Sequence, residues 1–81
     1  MDANKKSKLK GQLVAAIRRL TGIVTRRSEV CVELQRKADR YYKTGHAEMF
    51  EAYQSAIAKH QDVMARVEGE RLTYMRALHR L

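Results

Sequence analysis

Cys31 and His60 are the residues of this 81-residue chain whose types most invite chemistry. A thiolate beside an imidazole is a nucleophile with its base, or half of a tetrahedral metal site. The chain holds one cysteine and three histidines, so no second Cys and His pair completes four ligands. His46 and His79 fall far from His60 along the chain, one near each end of the second helix described below. Cys31 reads instead as a small apolar residue facing His60 across a helical seam. No enzyme, cofactor, metal site or small-molecule substrate is expected, because a rod of two helices offers no concavity in which polar groups converge and lose water.

The elements that set those residues opposite each other are legible in the spacing. Leu13, Ile17, Leu20, Val24, Arg27, Cys31, Leu34, Ala38 and Tyr41 recur alternately three and four apart. After Gly45 the same rhythm runs through Phe50, Tyr53, Ile57, His60, Met64, Val67, Arg71, Tyr74, Leu78 and Leu81. A mean period near 3.5 is a coiled-coil seam on each of two helices. The chain has no proline and is rich in Ala, Leu, Lys, Arg, Glu, Gln and Met, which favours helix throughout.

Residues 41–48 read as a helix stop followed by a helix start. Gly45 suits the left-handed position after a helix, and Arg40 and Lys43 suit its negative end. Thr44 or Gly45 is placed to cap the second helix, with Glu48 and Glu51 near its positive end. The expected organisation is a flexible basic N-terminus, residues 1–6, and a single helical-hairpin domain, residues 7–81, with its turn near 43–46. The first helix is expected from about Ser7 to Lys43 and the second from about His46 to Arg80, each near 50 Å at ~1.5 Å per residue. Pairing Tyr41 with Phe50 sets a register in which Leu34 faces Ile57, Cys31 faces His60, Val24 faces Val67 and Leu13 faces Leu78. Arg27 then faces Met64 and Arg71 faces Leu20; their stems cover apolar surface while the guanidinium reaches a carboxylate such as Glu68 or Glu70.

The two edges of the seam differ. With Ile17 and Phe50 as heptad position a, the e edge carries Thr21, Ser28, Gln35, Gln54, Gln61 and Glu68, with Val14, Tyr42 and Met75 the apolar exceptions. The g edge carries Leu9, Ala16, Ile23, Val30 and Lys37 opposite Met49, Ala56, Val63, Glu70 and Ala77, rimmed by Arg19, Arg26 and Arg66. An apolar strip ringed by arginine is interface anatomy. An 81-residue hairpin also has a thin core, so the expected fold is an all-α, coiled-coil-like antiparallel hairpin that dimerises into a four-helix bundle through this strip.

The net charge of +8 lies wholly in the first helix: residues 1–43 hold twelve Lys and Arg against four acids, residues 44–81 five against five. The leading functional expectation is a small non-enzymatic regulator that binds and modulates or inhibits a partner protein with an acidic surface. The alternative is nucleic-acid binding, in which Lys5, Lys6, Lys8, Lys10, Arg18, Arg36 and Arg40 contact phosphates. The hairpin architecture resembles the small dimeric Rop-like regulators that clasp paired RNA loops in plasmid copy control. That resemblance implies a dimer whose polar and basic helix face touches RNA. Tyr41-Tyr42-Lys43-Thr44-Gly45 also resembles the first-helix ending of a tetratricopeptide repeat, but Phe50 stands where that family has a small residue and its closing proline is absent.

Residues 3–28 contain no acid, a feature shared with transit peptides, but they also carry half of the seam. Leu13 to Ile17 is too short for a membrane span. A single cysteine gives no sign of an oxidising compartment, so the cytoplasm is the expected location.

Overall fold

The computed structural model describes residues 2–81, which form two helices, α1 (Ala3–Lys43) and α2 (Ala47–His79), folded into an antiparallel hairpin measuring 64 × 14 × 13 Å. Met1, the first residue of the expected N-terminal segment, lies outside the described residues. At ~1.5 Å per residue the 41 residues of α1 account for the full long axis. The 33 residues of α2 cover only part of it, so the first two turns of α1, with Lys5, Lys6, Lys8 and Lys10 all exposed, project past the end of α2.

Helix α1 begins at Ala3, earlier than the seam alone indicates. Asp2 has extended backbone and its carboxylate accepts the Lys5 N–H at 2.8 Å, which satisfies one of the orphan donors of the first turn. The seam periodicity starts only at Leu13, and for that reason it did not reveal this cap.

The turn is built on Gly45, whose φ of 78° is the one positive value among the described residues. Its left-handed backbone lets the His46 N–H reach back to the Tyr41 carbonyl at 2.9 Å, closing the end of α1. Thr44, expected as a cap for the second helix, serves the first: its hydroxyl donates toward the Arg40 and Tyr41 carbonyls. The N-cap of α2 is His46, which makes no side-chain capping bond to the helix. Its Nδ1 lies 2.9 Å from the Thr44 hydroxyl, so the imidazole serves the turn and not the free N–H groups of α2.

The ring contacts near the turn differ from the simplest pairing of Tyr41 with Phe50, by three residues for Tyr41 and by one for Phe50. Tyr41 stacks on Tyr53, with centroids 5.6 Å apart, and Tyr42 meets Phe50 at 5.2 Å. His46 adds an edge contact to Tyr41 at 5.8 Å. A ring spans more than one position along a neighbouring helix, so side-chain length shifts the partner away from the residue directly across the seam.

The core is thin. Leu13, Leu20, Ala38 and Ile57 are buried, and the rest of the seam is half-buried. Two helices cover only one side of each other, which leaves every residue off the seam with solvent or a partner on its outer side. Thr21, Thr25 and Thr73 turn their hydroxyls back onto carbonyls four residues earlier at 2.8–3.0 Å, so these hydroxyls are satisfied within their own helices.

Candidate docking face

The middle of the g edge forms an open cleft of about 310 Å³ lined by Ile23, Arg26, Arg27, Val30 and His60. Its lining combines two aliphatic side chains with two arginines and a histidine. The arrangement follows from heptad geometry. Ile23 and Val30 are consecutive g positions, while Arg27 and His60 occupy d positions on their helices, which adjoin the g edge.

Arg27 and His60 are bonded to each other, with Nη1 3.0 Å from Nδ1. A guanidinium only donates, so Nδ1 must present its lone pair and the ring proton of the neutral imidazole sits on Nε2. The pairing expected from register alone set Arg27 against Met64 and His60 against Cys31. A long arginine side chain lets Arg27 reach the imidazole one turn away, so its guanidinium ends on His60 and not on a carboxylate such as Glu68 or Glu70 as expected. Cys31 is half-buried with a free thiol. Among the described residues no three His, Cys, Asp or Glu side chains gather as a metal-ligand group.

The second seam arginine behaves as expected. Arg71 donates from Nη2 to Glu68 Oε2 at 2.9 Å while its stem crosses the apolar seam. Its Nε is buried and has no hydrogen-bond partner. Glu33, for which Lys37 is a suitable helical neighbour, pairs instead with Arg36 at 3.4 Å. Gln35 bonds Asp39 at 2.9 Å one turn further on.

Along the g strip, Leu9, Ala16, Ile23, Ala56 and Val63 are half-buried, whereas Val30 and Met49 are exposed. Arg19, Arg26, Arg40, Lys59 and Arg66 on the rim are exposed. The ion pairs among the described residues, Arg36 with Glu33 and Arg71 with Glu68, engage none of them. Arg26 lies back over Gly22, so that a Cβ at Gly22 would sit 3.4 Å from its Nη1. Gly69, at the same level of the hairpin, has open space around it, and the two glycines therefore share no packing role.

The opposite side is less polar than its e positions alone imply. Tyr42, Val32, Leu72 and Met75 are exposed there, Val32 at 53% against 42% for Val30 on the g edge. Val32 and Leu72 occupy b positions, one step further round the helix than the edge itself. A second concavity of about 270 Å³ lies near the turn, lined by Tyr42, Gly45, Ala47, Phe50 and Glu51, so what distinguishes the g-side cleft is that arginines line it beside Ile23 and Val30. Arg18 and Arg36 are exposed on α1 outside the cleft, and together with Arg40 and the projecting lysines they spread over the helix instead of converging on one point.

No family model matches the chain, and neither a curated protein nor a solved structure matches it. No described helix is long and apolar enough to cross a membrane.

Proposed function

We propose that this chain is a non-enzymatic regulator that modulates or inhibits a partner protein by docking its g strip onto it. The observation that carries this reading is the cleft of Ile23, Arg26, Arg27, Val30 and His60, where apolar contact surface and unneutralised cations occur together. Apolar centres with arginine at the edge are the composition of contact surfaces that bind by shape and charge. A protein that acts by occupying a site needs no reacting group of its own, in keeping with the thiol of Cys31 lying half-covered in the seam. Dimerisation into a four-helix bundle is a rival occupancy of the same strip, because covering Ile23, Val30 and Val63 with their counterparts would close it to a partner.

The competing reading is a Rop-like nucleic-acid binder. The projecting first turns of α1 favour it, since Lys5, Lys6, Lys8 and Lys10 stand clear of α2 in a helical array suited to a phosphate backbone.

The experiment is capture of partners from nuclease-treated lysate by the native chain and by Ile23→Asp and Val30→Asp, with sedimentation mass and helicity measured on each. The docking reading expects a protein retained by the native chain and lost from both variants while they stay helical. Val30 is exposed, so its substitution tests the face without disturbing the core. Unchanged binding and unchanged mass in both variants contradict the assignment. A retained species that is nucleic acid, released in proportion to salt, favours the competing reading.

A further inference from the structure

The proposed docking strip has a specific kind of occupant, and charge decides which. Arg27 is half-buried, and the partner of its guanidinium is the imidazole of His60, which accepts only while neutral. A half-covered guanidinium so placed keeps its full positive charge beside the aliphatic side chains of the cleft. Arg26, whose guanidinium folds back over Gly22, also lines the cleft and brings a second positive charge to its edge. Such a pair is the receptor a carboxylate fits, because planar guanidinium groups bind carboxylates in matched, charge-assisted geometry.

The shape around the cleft adds the second half of the argument. Ala16, Ile23 and Val30 follow each other at seven-residue spacing along α1, and the same spacing on α2 sets Ala77, Glu70 and Val63 across from them, with Lys37 across from Ala56. The groove along Ala16, Ile23, Val30 and Val63 accepts the apolar ridge of a third helix, the alanine allows its backbone to come close, and the exposed Glu70 stands at the groove's α2 edge, one turn along from Arg66. A second copy of this chain is disfavoured in that place. It would bring Arg19, Arg26, Lys59 and Arg66 of each molecule toward the same cations of the other, and the acids on that face, Glu33 and Glu70, are outnumbered by them.

We infer that the groove receives an acidic amphipathic helix of another protein, with one of its carboxylates seated over Arg26 and Arg27. The inference rests on the docking reading above and gives the partner's chemistry. Duplex RNA would meet the exposed cations but has no apolar ridge for Ile23 and Val30.

The test uses the full chain and two fluorescent helical peptides of about 20 residues. Each has Leu and Ala along one face; one has Glu beside that face, the other Lys. Anisotropy titrations should show saturable binding of the Glu peptide and binding of the Lys peptide weaker by about a hundredfold. Arg27→Met, which keeps an apolar stem, and Arg26→Gln should each weaken the Glu peptide by about tenfold with helicity unchanged. Sedimentation should give the monomer mass at low salt. Equal affinity for the two peptides, no binding of either, or a low-salt dimer overturns the inference.

The two levels of the proposal fail differently. If Val30→Asp abolishes peptide binding and the arginine variants do not weaken it, the docking face stands and the acidic occupant falls. If Val30→Asp leaves Glu-peptide binding intact, both fall. An RNA hairpin that binds native and Val30→Asp chains equally, while the Glu peptide binds neither, assigns the cations to phosphate and overturns both.

Discussion

Replacing Arg71 by Met should stabilise the hairpin, although it removes one of its ion pairs. The side chains of Arg71 and Glu68 remain 29% and 37% exposed, so their 2.9 Å contact is screened by water and contributes about 0–1 kcal/mol. Against this stands the buried Nε, which has given up water and gained no acceptor. An unsatisfied buried donor costs about 1–3 kcal/mol. Methionine keeps an unbranched apolar stem across the seam and removes the orphaned N–H, so the packing contribution of the stem largely survives. The difference favours Arg71→Met by about 1 kcal/mol, which for a domain of this size raises the melting temperature by roughly 4–8 °C. Thermal unfolding followed by far-ultraviolet circular dichroism, at fixed protein concentration, measures it. Glu68→Gln is the control that removes the ion pair alone, and it should lower stability by less than about 1 kcal/mol. A melting temperature that falls by more than about 4 °C in Arg71→Met would show that the guanidinium stabilises the seam, and would refute the weighing of desolvation over pairing.

Three further outcomes follow from the same packing. Leu20→Ala, at a position 4% exposed, should cost about 2–4 kcal/mol in urea unfolding, whereas Val32→Ala on the open side should stay within about 0.5 kcal/mol. Gly45→Ala places a Cβ on left-handed backbone and should cost about 1–2 kcal/mol, seen as a lower urea midpoint with an unchanged slope. Ala38 is fully buried, so Ala38→Leu should destabilise by about 1–3 kcal/mol through overpacking; a rise in melting temperature there would mean that the seam beside it has room.

Much of the fold was legible because each of its determinants is local. Heptad spacing declares a helix and its seam, and Gly45 declares the reversal without reference to any distant residue. The ends were less legible. Asp2 stands outside the apolar periodicity, and its cap extends α1 back to Ala3 through a single carboxylate. Thr44 offered two helices the same hydroxyl, and the carbonyls of Arg40 and Tyr41 took it.

The site was legible as a strip and not as a cleft. Seven-residue spacing places Ile23 and Val30 on one edge, but the Arg27 contact to His60 depends on an arginine crossing one turn, a reach that position labels omit. The available signal was two polar residues at neighbouring d positions of facing helices, and it was the thiol of Cys31 that drew the chemical reading of His60 instead. On the other side, Tyr42 and Met75 are legible as apolar members of the e edge, but heptad labels give no weight to the apolar residues next to it. Val32 and Leu72 lie at b, one step beyond the edges that frame the seam.

The most direct test of the docking face is amide and methyl chemical-shift mapping of the full chain during titration with the acidic peptide. The account predicts shifts concentrated at Ala16, Ile23, Val30, Ala56 and Val63, with Arg26 and Arg27 side-chain resonances moving alongside them. Shifts centred on Val32, Leu72 and Met75, or confined to Lys5, Lys6, Lys8 and Lys10, would contradict it.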